Sequence, residues 1–288
     1  METSFRPLLM GLVLFCFQVP TQAQEFREHI SLEFTIQNAN QAILAIHNIN
    51  GSIKVQGYSG NKVLFEIDKT IFSENASILA AGKKEFAFEV EQVGDSIVAY
   101  ISNPFDSRPN RNRNDNWDER KVKYQYKLDF VVKVPANMSL NVSTVNQGDV
   151  TVSGVTGAEL KVHNVNGGIT VNDAAGATFA GTVNGHILVN YTSNPDGASS
   201  YTTINGDIKV RYQPDLSANV QFKTMNGETY TDFLDAEILP GTVINYQRKE
   251  GAGTVYKIEK HSIIRIGKGG NLFKFETLNG NIYIKKQS

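Results

Sequence analysis

Three acidic residues, Asp149, Asp207 and Glu228, each follow a glycine that closes the same short phrase, Asn-Gly or Asn-Gln-Gly. Two carboxylates about 5 Å apart are the machinery of a retaining glycosidase, one serving as nucleophile and the other as acid and base. If copies of the phrase stack at the roughly 4.8 Å spacing of paired strands, Asp207 and Glu228 fall on adjacent copies at that separation. Gly168 and His186 occupy the copies between Asp149 and Asp207, so no continuous acidic line forms, and the two aspartates stand on the order of 14 Å apart. The ordinary meaning of such residues is an exposed turn acid, and no catalytic residue is assigned. The five histidines, His29, His47, His163, His186 and His261, show no His-x-x-x-His spacing, so no metal site is expected. His47 and His163 each stand three residues before a repeat asparagine, on copies that are not neighbours. Gly251-Ala252-Gly253 and Gly267-Lys268-Gly269-Gly270 lack both the Gly-Lys-Ser/Thr sequence and the following helix of a phosphate loop. They read as turns, and no cofactor is implied.

The elements that would position these residues announce themselves by repetition. Asn50-Gly51, Asn166-Gly167, Asn184-Gly185, Asn205-Gly206, Asn226-Gly227 and Asn279-Gly280 are each preceded by an apolar residue, and Val145-Asn146-Gln147-Gly148 is a seventh copy with one residue added. Apolar residues follow most of these glycines with a period of two, as in Ile53/Val55, Val150/Val152, Ile169/Val171, Ile187/Val189, Ile208/Val210 and Ile282/Ile284. That is the mark of a strand leaving a turn. From Gly148 the steps to Gly167, Gly185, Gly206 and Gly227 are 19, 18, 21 and 21 residues, and each interval holds a second turn such as Gly154-Val155-Thr156-Gly157. Two strands and two turns per interval make one rung of a two-sided β-solenoid. The alternative is a meander or sandwich in which every Asn-Gly closes a hairpin. Nearly constant spacing favours the solenoid, whose corners must stack; Asn and Gly suit a left-handed corner, and stacked Asn side chains form ladders. Thr229 and Thr231 replace the apolar pair after Gly227, so the regular stack is expected to end there.

Outside the repeats, alternating runs at Ile30–Ile36, Val63–Ile67, Phe86–Val90, Ile97–Ile101 and Tyr124–Val134 read as strands. Gly94-Asp95 reads as a hairpin turn. Ser73 is the expected N-cap of one short helix stopping near Gly82. Between Asn103 and Asp118 a polar loop carries Arg108, Arg111, Arg113 and Trp117, residue types favoured at interfaces, and these are the candidate binding residues beside a plain solvated hairpin tip.

Arg6, the apolar run Leu8 to Val19 and Thr21-Gln22-Ala23 predict a cleavable secretory signal peptide over residues 1–23. The run is shorter than the roughly 20 residues of a spanning helix. The single cysteine, Cys16, lies within it, so disulfides and thiolate sites are not expected downstream. With 28 Lys+Arg against 29 Asp+Glu and a net charge of −1, the chain has no generic attraction to nucleic acid and at most peripheral contact with a membrane.

The phrase Thr203 to Val210, the lead-in Val134-Pro135-Ala136-Asn137 and the closing Arg265–Gly270 followed by Phe275–Gly280 together resemble the DUF4097 family of bacterial β-strand-repeat proteins, whose adhesin name is itself a prediction. The resemblance runs from about Asn40 to the C-terminus and excludes the Arg-rich loop. It implies a secreted, periplasmic or surface protein of the cell envelope and brings no catalytic residues. The expected organisation is a signal peptide (1–23), an N-terminal β region with the helix and Arg-rich loop (24–135), solenoid repeats (136–235), and C-terminal hairpins with a closing rung (236–288). The expected function is an exported binding or structural module with a surface glycan or protein as partner and no catalytic activity. A carbohydrate-active β-helix enzyme and a scaffold without external ligand are the alternatives.

Overall fold

The computed structural model describes residues 24–109, 122–239, 243–250, 253–260 and 262–287; the expected signal peptide lies outside them. Among the described residues the chain is all-β apart from one helix. Each Asn-Gly joins a strand of one sheet to a strand of another, so these phrases are corners between sheets. Seven rungs stack in this way, and their strands pair in parallel and in register: Ile53 with Val150, Val150 with Ile169, Ile169 with Ile187, Ile187 with Ile208, and Ile208 with Ile282. The second sheet repeats the pattern, from Ile43–His47 through Ser139–Ser143, Glu159–His163, Ala177–Gly181, Ser199–Thr202 and Leu272–Asn279 to Ala218–Asn226. The apolar pairs after the corners are at most 1% exposed, and burying each such Val or Ile contributes about 1.5–3 kcal/mol. Stacking them in register gives a core one rung deep and many rungs long.

Sequence order and spatial order part company at the C-terminal end. The closing strand Ile282–Lys286 lies between Ile208–Tyr212 and Thr229–Thr231, and Leu272–Asn279 likewise lies between Ser199–Thr202 and Ala218–Asn226. The last rung in the chain is therefore the last but one in the stack, slotted between the Asn205 and Asn226 rungs.

Antiparallel strands finish both ends. Gln24–Thr35 and Lys62–Ser73 extend the first sheet, and Ala87–Val93 borders the second. Ser262–Ile266 and Glu237–Leu239 extend the second sheet beyond Ala218–Asn226, while Val243–Glu250 and Gly253–Lys260 form a hairpin of their own. Residues from 24–135, 136–235 and 236–288 contribute strands to both large sheets. The helix spans Ala76–Glu85, and its N-cap is Asn75, whose side chain accepts from the Ser77 and Ile78 amides. The expected cap, Ser73, instead accepts from the Asn75 amide. Ser73 belongs to the long strand Lys62–Ser73, whose pairing outlasts the local capping signal.

Before the Asn50 rung, Ser96–Asn103 pairs in parallel with Ile43–His47 and Gln125–Pro135 pairs in parallel with Ile53–Tyr58. These two strands complete an eighth layer. Between Asn103 and Gln125 the chain passes from the second sheet to the first, as it does across Asn-Gly in the other layers.

Candidate functional site

The corner edge holds the residues that the repeat singles out, and their polar groups face along the stack. Asn166, Asn184, Asn205, Asn279 and Asn226 each donate from Nδ2 to the Oδ1 of the asparagine one rung earlier, beginning at Asn146, over 2.7–2.8 Å. Such a ladder is what stacked amides form when register is fixed. Behind it runs a second row that the sequence reading did not assign. The residue two before each Asn turns inward and donates to the glycine carbonyl of the preceding rung: Thr144 to Gly51, Asn164 to Gly148, Thr182 to Gly167, Thr203 to Gly185, Thr277 to Gly206 and Thr224 to Gly280, all at 2.8–3.0 Å. The only sequence signal for it was the recurring Thr in Thr-x-Asn-Gly.

The corner glycines are needed because backbones meet there. A methyl group built on Gly206 would lie 2.1 Å from the Gly185 carbonyl oxygen, and one on Gly280 would lie 2.0 Å from that of Gly206. Gly51 adds a φ of 121°. Among described non-glycine residues only Gln147 and Asp173 have positive φ, so the asparagines are not left-handed as expected. A proline at Asn205 would act by another route, removing the amide that donates to Val183 O over 2.8 Å.

The three acids take part in the same inter-rung bonding. Asp149 accepts from the Gly168 amide (2.7 Å) and Asp207 from the Asn281 amide (2.8 Å). In the equivalent position His186 Nδ1 accepts from the Asp207 amide (2.9 Å), and Asn281 Oδ1 accepts from the Glu228 amide (2.9 Å). The expected adjacency of Asp207 and Glu228 fails, because Asn281 of the closing rung stands between them. Two strand spacings, roughly 9.6 Å, separate their backbones. Glu228 also accepts the Tyr230 hydroxyl.

Of the candidate binding residues, Arg111, Arg113 and Trp117 lie outside the described residues. Arg108 is fixed by its own neighbours: its guanidinium lies 3.7 Å over the Tyr100 ring and bonds both oxygens of Asp106 (Nε 3.0 Å, Nη2 2.6 Å). Tyr100 in turn donates to Glu91 (2.6 Å) and Glu89 (2.8 Å), bonds that push its pKa far up. Beneath this cluster His47 is buried, and burial together with the Arg108 charge lowers its pKa. His47 and His163 flank Ser143 in one row of the second sheet, so they are not on neighbouring rungs. No group of three possible metal ligands occurs among the described residues.

The outer faces differ in how far their polar groups are committed. A hollow of ≈ 800 Å³ on the N-terminal strands is internally neutralised: Lys69 pairs with Glu28 (3.0 Å), Lys127 with Asp129 (2.7 Å) and His29 with Asp68 (2.7 Å). A second, of ≈ 520 Å³, is crossed by the chain Arg211 to Asn190 to Asn172, at 2.9 and 2.7 Å. A third, of ≈ 530 Å³, lies across the outer face of the second sheet. Its floor is Gly181, flanked in register by His163 and Thr202, and Phe179 stands two residues along, flanked by Lys161 and Ser200. Val183 closes the far end. Lys161 is paired with Glu159. The side chains of His163, Ser200 and Thr202 make no hydrogen bond among the described residues, and packing around His163, with the Lys161 charge, lowers its pKa.

A family model matches part of this stack. Residues 132–262 match the Toastrack DUF4097 family. The resemblance read from the Val134 lead-in and the Thr203–Val210 phrase is confirmed over that Toastrack segment, which includes the Asn146 to Asn226 corners and the Gly181 groove; the closing phrase from Arg265 onward lies beyond it. No curated protein matches the chain significantly. Among solved structures it is similar to a predicted cell adhesion protein from Clostridium sporogenes at 10% identity and TM-score 0.41, covering 90% of this chain and all of the other. It is similar as well to a predicted adhesin from Bacteroides fragilis (11%, TM-score 0.29, 90% and 97% covered) and to a predicted lipid binding protein from Parabacteroides distasonis (10%, TM-score 0.24, 90% and 97% covered). Within the Toastrack segment the sequence pointed to the corners, which are internally bonded, and passed over Phe179 and Gly181, which face outward from a strand with no motif of their own.

Proposed function

We propose that this protein is an exported binding or structural module of the bacterial cell envelope, without catalytic activity, that meets a surface glycan or protein through the outer faces of the stack. The observation that supports this reading is the division of polar groups. Those on the corner edge are committed to inter-rung bonds, so they hold the stack together, while uncommitted donors and acceptors remain on a broad, shallow face. Extended repeat surfaces of this kind suit weak, distributed recognition. The glycosidase alternative loses its main support with Asn281 between Asp207 and Glu228. No helix of the described residues is long and apolar enough to cross a membrane, and the proposed export rests on the signal sequence read over residues 1–23.

The test is binding of the purified protein to a glycan array and to whole bacterial cells, beside a form lacking residues 110–118. That deletion leaves Arg108, Asp106 and Tyr100 in place. Saturable binding that the deletion abolishes would assign recognition to the Arg-rich loop, and binding that survives it would assign recognition to the sheet faces. Absence of binding in every format would leave a scaffold. Turnover of a glycan substrate would overturn the non-catalytic reading.

A further inference from the structure

We propose that the groove over Gly181 is a site for one neutral pyranose unit of a glycan. The inference rests on the binding-module reading and gives it a place and a ligand class. The first argument is the glycine. Gly181 has an ordinary φ, and the nearest atom to a methyl group built on it is His163 Nδ1 at 3.1 Å, on a side chain that can turn, with no backbone closer than 3.9 Å. Unlike Gly206 or Gly280, it is not required by the fold. What its missing side chain does is leave one outward position empty in a row otherwise filled by His163 on one side and Thr202 on the other.

The lining supplies the second argument. A pyranose has apolar C–H faces and a rim of hydroxyls that both donate and accept. The groove sets the Phe179 ring at one end and Val183 at the other, with three unpartnered polar side chains, His163, Ser200 and Thr202, along its sides. Two are hydroxyls and the third is an imidazole, and each can both donate and accept. The one charged residue of the lining, Lys161, is paired with Glu159; an acidic ligand would call for an unpaired cation in that lining. A volume of ≈ 530 Å³ is ample for one sugar ring and lies within the usual range of small-molecule sites, in which a few polar groups orient a ligand against apolar walls.

The experiment is saturation-transfer NMR of the full protein with a panel of neutral hexoses, N-acetylhexosamines and one uronic acid, followed by titration of the best ligand and a glycan array. An open groove of this kind predicts dissociation constants around the millimolar level for a single sugar. Gly181→Val fills the floor with a residue that suits a strand, and Phe179→Ala removes the wall; each is expected to weaken binding at least about tenfold with circular dichroism and melting unchanged. Tyr283→Ala, on the outer face of the other sheet, is the control and should bind as the parent does. Sugar binding that survives both groove variants would overturn this site and leave the binding-module reading standing. A preference for the uronic acid would overturn the neutral-ligand assignment. No sugar bound by a protein that still binds cells would overturn the sugar site alone, whereas no binding to sugars or cells would overturn both.

Discussion

At the residue scale the corners and the groove make opposite predictions for the same substitution. Gly206→Ala places a methyl group 2.1 Å from a carbonyl of the rung beneath, a collision with backbone on a stack that cannot open locally. It should cost about 2–3 kcal/mol, lowering the denaturant midpoint at unchanged slope. Gly181→Ala should leave the midpoint nearly where it was. Equal effects in the two variants would refute the argument from stacked backbones. A second prediction concerns His47, whose pKa is lowered by burial and then by the Arg108 charge, against a weaker opposing pull from Asp106. The folded form holds a proton on this imidazole less readily than the unfolded chain does. As pH falls below the unfolded value of about 6.5 the unfolded chain gains protons first, so stability declines until the depressed folded pKa is passed. His163, lowered by the packing around it and by the Lys161 charge, acts in the same sense but stands exposed on the sheet face. His29 acts in the opposite sense, its pKa raised by Asp68 and Glu66, but it is exposed. The urea midpoint of the parent should therefore drop more between about pH 7.5 and 5 than that of His47→Gln. Parallel curves would show that His47 does not report its burial.

At the scale of elements, what could be read in advance was whatever repeats. The apolar pairs Ile169/Val171 and Ile187/Val189 identified inward-facing strands, and the corner spacing distinguished rungs from hairpins, because both follow from local period and a fixed stacking distance. Two things were not legible. The closing rung's place between the Asn205 and Asn226 rungs depends on a pairing across some 70 residues, and no local pattern records it; the supposed carboxylate pair failed on that account. The outward side chains at Phe179 and Gly181 carry no constraint from stacking, so they show no period. The helix illustrates a smaller version of the same competition. Two cap candidates, Ser73 and Asn75, lie two residues apart, and strand pairing through Ser73 decided between them. Asn75→Ala should remove the acceptor for Ser77 and Ile78 amides and cost about 1 kcal/mol. Ser73→Ala should cost less, and thermal melts of the two variants side by side would reverse the assignment if the order came out otherwise.

For the whole molecule the intercalated rung sets how the parts depend on one another. A solenoid built in sequence order loses only its last layer when shortened. This one would lose an interior layer: a chain ending at residue 270 lacks Phe273 and Phe275, each 1% exposed, and leaves Ile208–Tyr212 and Thr229–Thr231 without the strand between them. We predict that such a chain loses its single cooperative melting transition and aggregates, as unpaired interior strand edges do. Removal of the hairpin Val243–Glu250 and Gly253–Lys260, which pairs with no other strand among the described residues, should shift the melt by far less. A shortened chain that melts cooperatively near the parent temperature would contradict the order of rungs.

That arrangement also ties completion to the order of synthesis. A ribosome makes residues 272–286 after the strands that flank them in the stack, and these are the residues that fill the gap. Until they arrive the nascent chain holds two open seams, one in each sheet, and cannot settle however long it waits. Translation interrupted, or the chain clipped, before residue 272 therefore yields a product with the exposed edges that chaperones and proteases recognise, and only a chain that carries residues 272–286 closes both seams.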